Sequence, residues 1–182
     1  MRKLIPFLFA ISVAAFAVAQ HEGDKPSFKR NNVVGVDGKS TVTQADAFAV
    51  FTQARKAIVA ARIAKLTTKP TIAKSGQPVS RDQIILEMMK ILNESKTAVK
   101  FVPKPVKFDP AVFKTGSAGA KAALAKLVKW GMVAPVGVLA TGPKATLSID
   151  EFGDALGFFL SRYSDVTHMP STKWSPFLQP ID

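Results

Sequence analysis

The sequence predicts an all-α fold: a small bundle of four main helices built from repeated helix–loop–helix units. Three observations carry this. Four segments free of proline have helix-forming composition and apolar spacing of three and four. Loops holding glycine or proline separate them. Three of the four helix starts share one grammar, an apolar residue, a Ser or Thr, two variable residues, then an acid or its amide.

The first stretch lies ahead of the fold. "MRKLIPFLFAISVAAFAVAQ" has Arg2 and Lys3, then an uncharged, mainly apolar run from Leu4 to Ala19, ending in Ala17-Val18-Ala19. That is the layout of a secretory signal peptide, residues 1–19, with small residues at the cleavage positions. The run spans 16 residues and holds Pro6, short of the roughly 20 that cross a bilayer, so no transmembrane anchor is expected after cleavage. Residues 20–32, "QHEGDKPSFKRNN", read as a polar flexible leader, and 33–182 as a single helical domain.

The chain has no cysteine, which excludes a lipid anchor on Cys, disulfides and thiolate metal sites. Without Arg2 and Lys3 it carries 23 Lys+Arg against 13 Asp+Glu, a net charge of +10. For an exported protein in the periplasm, envelope or medium, that favours anionic envelope polymers over nucleic acid. Charge that serves only solubility is the plainer reading of lysines scattered along the chain.

The first helix is predicted over 44–66, "QADAFAVFTQARKAIVAARIAKL". Ala47, Val50, Ala54, Ala57, Ala61 and Ala64 form a stripe of small residues, suited to close helix approach. Phe48, Phe51, Val59 and Leu66 lie on the other face with Arg55 and Arg62 among them. Two arginines on a Phe-lined face are candidate anion ligands. The commoner arrangement is aliphatic stems lying over apolar surface with solvated heads.

The second helix, 81–96, has an apolar face of Ile84, Ile85, Met88, Ile91 and Leu92, read as core. Residues 99–117 form a Pro-rich extended connector with one short turn after Asp109. The third helix, 118–130, stops at Gly131. The fourth is predicted over 149–163, "IDEFGDALGFFLSRY". In the tail, Met169, Trp174, Phe177 and Leu178 are expected to dock on the body.

The shared helix starts are "TVTQADAF", "QPVSRDQII" and "ATLSIDEF". Thr43–Asp46, Ser80–Gln83 and Ser148–Glu151 are capping boxes, each hydroxyl accepting from a first-turn N–H and each third residue reaching back. Val42, Val79 and Leu147 supply hydrophobic staples to Ala47, Ile84 and Phe152. Three such starts in one small chain indicate an internal repeat.

This pattern resembles the S-layer homology module of bacterial surface proteins, in which a helix ends near Gly-hydrophobic and Thr-Arg-Ala-Glu opens the next. "ALAKLVKWGMVAP" followed by "LSIDEFGDALGFFLSR" is the fullest unit, and Ser80-Arg81-Asp82-Gln83 keeps the arginine of the tetrad. Gln44 and Ile149 stand at that position in the other two. The resemblance implies envelope association and contact of Arg81 with acidic cell-wall polysaccharide.

Other chemistries fail on spacing. With Glu151 as twelfth ligand, a calcium loop would place Ala140, Gly142 and Lys144 at its first, third and fifth positions. The loop at Gly38 would place Val33, Gly35 and Asp37 there, with Gln44 at the twelfth. "GKS" at 38–40 lacks the earlier glycine of a phosphate loop, and "KTG" at 114–116 has no Ser-x-x-Lys to accompany it. His21 and His168 are too few for zinc, and His168 has no nucleophile elbow to serve. Glu151 and Asp154 share a helix edge, but the cap claims Glu151 and the helix dipole favours acids in the first turn.

The expected protein is therefore a non-enzymatic secreted or envelope protein, without cofactor or metal, that binds anionic envelope glycan. A secreted glycan hydrolase using the acids of the fourth helix is one alternative. A periplasmic adaptor binding a protein through its Ala stripe or Phe face is the other.

Overall fold

The computed structural model describes residues 39–169. The expected signal peptide, leader and tail residues Trp174, Phe177 and Leu178 lie outside the described residues. The fold is all-α. Helices α1 (Gln44–Ala60), α2 (Arg81–Ser95), α3 (Ala118–Lys129) and α4 (Ile149–Thr167) are joined by loops, and a one-turn 3₁₀ helix, Pro110–Val112, interrupts the connector. Asp109 opens that turn by accepting from the Ala111 N–H at 2.9 Å.

All three capping boxes form. The hydroxyls of Thr43, Ser80 and Ser148 each accept from the backbone N–H of Asp46, Gln83 and Glu151 at 3.2 Å. Those side chains return the bond, accepting from the cap N–H at 3.3, 2.9 and 2.8 Å respectively. The staples close too. Val42, Val79 and Leu147 are buried, as are Ala47, Ile84 and Phe152. Full burial of one such large apolar side chain stabilises by about 1.5–3 kcal/mol.

The three cap segments also pair with one another. Antiparallel bridges link Thr41 to Ser148, Thr43 to Pro78 and Ser80 to Thr146. The first helical amide of each unit donates to the carbonyl three residues before the next unit's cap. Gln44 donates to Gln77 at 2.8 Å, Arg81 to Ala145 at 2.8 Å, and Ile149 to Ser40 at 2.9 Å. The donors thus run in a circle. Val42 donates to the Leu147 carbonyl at 3.1 Å and Val79 to the Val42 carbonyl at 2.9 Å, in the opposite rotation. The result is a pseudo-threefold ring of helix starts. The repeated grammar has a structural purpose, since short extended caps satisfy each other's backbone groups with no sheet.

Two helix lengths differ from expectation. The chain leaves α1 at Ala60, not Leu66. Arg62 takes a left-handed conformation, φ 58°, and its N–H and that of Ile63 donate to the carbonyls of Val59 and Ile58, a Schellman exit. No glycine or proline marks this stop. Packing wins over propensity, because Ala64 is buried, Ile63 and Leu66 lie against the core, and the following loop bonds to α2. Helix α4 runs on to Thr167, four residues past the predicted end. "SDVT" has no breaker, His168 closes the helix at φ 54°, and Pro170 follows shortly.

Helix α3 ends as its glycine predicts. Gly131 has φ 69°, and the Met132 N–H donates to the Leu127 carbonyl at 2.8 Å. Arg62 and Gly131 therefore occupy equivalent exits of two helix–loop–helix units, α1–α2 and α3–α4. The core between them holds Phe51 edge-on to Phe152, with centroids 5.9 Å apart, and Phe159 beside Tyr163. Met88 and Met89 are both buried in it.

Candidate functional site

The three candidate arginines fare differently. Arg81 begins α2 beside the ring, but its side chain points inward and is 1% exposed. Nη1 donates to the carbonyls of Gly142 and Lys144, the latter at 3.0 Å. The guanidinium lies over the Phe113 ring, Cζ 4.0 Å from the centroid. Burial pulls its pKa below the ordinary guanidinium value, and Asp82 and Glu151 oppose that pull.

Symmetry explains the position. Gln44 stands where Arg81 does in the first unit, and its Nε2 donates to the Pro78 carbonyl at 3.4 Å while Oε1 accepts from Ser75 Oγ at 3.1 Å. Each side chain ties its unit to the loop that enters the next. Gly142 belongs to this tie, because a Cβ there would sit 3.2 Å from Arg81 Nη1 and 2.5 Å from the Val138 carbonyl oxygen. Arg81 is a strut between units in this conformation, not a surface cation.

Arg55 is the second correction. Neither an anion ligand at the surface nor a solvated head fits its burial, since Arg55 is 4% exposed. Its Nη1 donates to Glu94 Oε1 at 2.9 Å and to the Thr68 carbonyl at 3.2 Å, and Nη2 lies 3.9 Å from Glu87 Oε2. Glu94 Oε2 accepts the backbone N–H groups of Thr67 and Thr68 at 3.1 and 3.2 Å. Glu87, 1% exposed, accepts both the N–H and the hydroxyl of Thr71. Lys90 donates to the Lys69 carbonyl at 2.7 Å. Residues 87, 90 and 94 share one face of α2, so the loop 67–71 is strapped to it and to α1.

Burial raises the Glu94 pKa. Hydrogen bonds from the Thr68 side chain, Arg55 and the Thr68 backbone outweigh it, and hold the carboxyl below its ordinary value. The sequence reading missed Glu87 and Glu94 as partners of Arg55. Their spacing of seven on the apolar side of α2 was the available signal.

Arg62 is exposed, at the left-handed exit of α1. The three arginines therefore form no common cluster. Among the acids of α4, Glu151 is engaged in its cap, Asp150 is exposed and Asp154 is half-buried one turn on. His168 is exposed and closes α4. No group of three or more His, Cys, Asp or Glu side chains among the described residues is placed to hold a metal ion. No helix of the described residues is long and apolar enough to cross a membrane.

The Ala stripe of α1 faces the core through Ala47, Val50 and Ala54, with Ala57 half-buried. Outside it, a groove of about 450 Å³ is lined by Ala45, Phe48, Ala49, Thr52, Gln53, Lys56 and Lys74. Lys74 Nζ stands 4.5 Å from the Phe48 ring centroid. The lining has no acid, imidazole or thiol, so it supplies no general acid–base pair.

Against this geometry, comparison with known family models, curated proteins and solved structures gives no match. The all-α ring of helix starts is therefore what defines the class of the protein.

Proposed function

We propose that the protein is a non-enzymatic component of the cell envelope or the secreted fraction, an S-layer-homology-like module that adheres to an anionic surface polymer. The pseudo-threefold ring carries the reading. Its helix–loop–helix units turn on the capping grammar that drew the resemblance, and Arg81 lies at the tetrad position. The strong positive charge and the N-terminal export signal agree with it. Since Arg55 and Arg81 face inward, exposed lysines and Arg62 have to supply the attraction in this conformation.

Co-sedimentation of the purified mature chain with envelope fractions tests the reading. Binding that weakens as salt rises is the expected result, because exposed charge pairs are screened within about 8 Å at physiological ionic strength. A chain that stays in the supernatant with every envelope preparation defeats it.

The α1 groove favours a second reading, a helical adaptor for a protein partner. There, Ala49→Arg would block a concentration-dependent mass increase in the presence of that partner. Ala57→Leu is a poorer test, since Ala57 packs against the core.

A further inference from the structure

We infer that the face around Trp130, where α3 ends, is the docking surface for a linear polyanionic polysaccharide. The inference rests on the envelope reading above and gives it a location. From Lys96 to Gly131 the chain holds eight lysines against the single acid Asp109. Along the sequence these lysines look scattered, but the fold brings Lys96, Lys104 and Lys129 together. The connector runs back past the end of α3, and the Lys104 N–H donates to the Lys129 carbonyl at 2.7 Å. The Lys104 side chain lies against Gly131, its Cε 3.2 Å from where a Cβ would stand. From the end of α2, Lys96 Nζ reaches 5.4 Å from the Trp130 ring centroid. From α4, Arg162 Nε donates to the Gly131 carbonyl at 3.2 Å.

Phe101 stacks on Trp130 with centroids 5.5 Å apart and planes 25° apart. This aromatic pair forms a floor beneath the Lys96 ammonium. Lys96, Lys100, Lys104, Lys126 and Lys129 are all exposed or nearly so.

Helix capping alone does not account for so much charge. The C-terminal end of α3 contributes roughly half a negative charge. Asp165 contributes one more, and it pairs with Arg162 at 2.6 Å. Lys96, Lys104 and Lys129, drawn from three separate elements, meet around Trp130 and Gly131, and none of them is in an ion pair among the described residues. A chain of regularly spaced carboxylates or phosphates complements that array, and a single small anion would engage only a part of it.

The test uses the mature full-length chain carrying Trp174→Phe, which leaves Trp130 as its one tryptophan. Hyaluronate, dextran sulfate, uncharged dextran and a single-stranded DNA oligomer are titrated while Trp130 fluorescence is followed. The expected result is a salt-dependent fluorescence change with the two anionic polysaccharides and none with dextran. Lys96→Glu/Lys104→Glu/Lys129→Glu should weaken binding about tenfold or more. Lys56→Glu/Lys65→Glu/Lys69→Glu, with the same change in net charge, should weaken it far less. Far-UV circular dichroism establishes that both variants are folded.

Equal losses in the two variants overturn the location and leave the envelope reading standing. Sedimentation with envelope fractions but no binding to either anionic polysaccharide does the same. Tighter binding of the DNA at physiological salt overturns the polysaccharide assignment. Failure to bind polysaccharide and envelope alike removes both proposals.

Discussion

The guanidinium carbon of Arg81 sits 4.0 Å from the centre of the Phe113 ring, inside the protein. The contact makes packing a large part of what Arg81 contributes. Arg81→Ala should destabilise by about 2–5 kcal/mol, the range for deleting a large buried side chain. Arg81→Met retains the stem and the ring contact, and should cost under about 1.5 kcal/mol. The loop carbonyls it releases lie near water, since Thr141, Pro143 and Lys144 are exposed. Urea unfolding of the two variants checks the contrast, and equal losses would mean that the charge matters more than the volume.

Arg55 gives the opposite expectation, because its partner Glu87 is buried as deeply as the arginine. Arg55→Ala strands that carboxylate and should cost about 3–5 kcal/mol. Thermal unfolding of Arg55→Ala against Glu87→Gln/Arg55→Met separates the stranded charge from the lost contacts. The double variant should recover part of the loss.

Acid sensitivity follows from Glu94. Its folded pKa lies below the unfolded value, near 4.3, so its contribution is fully present above that pH. It is lost as pH falls through the folded value. Glu94→Gln should therefore show a flatter decline of stability below about pH 4.5 than the parent. Parallel curves from pH 6 to pH 3 would contradict the assignment.

At the alkaline end, Tyr163 is the buried group to follow. Ser95 donates to the Ile91 carbonyl at 2.7 Å, so the Tyr163 hydroxyl donates to Ser95 Oγ at 2.8 Å. Burial pushes the Tyr163 pKa up, with the Ser95 bond opposing it. A raised folded pKa gives stability that is present below about pH 10 and disappears as pH rises through the folded value. Tyr163→Phe should cost about 1 kcal/mol at neutral pH and reduce the alkaline decline.

The two equivalent helix exits should respond in opposite directions. Gly131→Ala forces a side chain into φ 69° and against Lys104, at about 1–2 kcal/mol. Arg62→Gly relieves the same conformation at φ 58° and should stabilise by about 0.5–1 kcal/mol. Melting temperatures that move the same way for both would show that the exits are not equivalent.

Helix starts were the most legible part of this chain, because a capping box is local chemistry and Thr43, Ser80 and Ser148 announce it within four residues. The stop of α1 was not legible, since Arg62 does on tertiary grounds what Gly131 does by lacking a Cβ. The ring was only half legible: the repeat was visible, but nothing local states that Ser40 and Ile149 meet. The candidate arginines misled for a related reason. Solvation is the default for arginine, and only the fold brings Glu87 and Glu94 to Arg55, and Phe113 to Arg81.

The ring also sets the order in which the molecule can be finished. Its closing bond joins Ile149 to Ser40, and nearly the whole domain lies between them. Loop closure of that length comes late in folding. Until residue 149 has emerged from whatever channel the chain is threading, the first cap has neither of its Ser148-side partners. A chain built this way stays unlocked through most of its synthesis and sets once its last helix arrives.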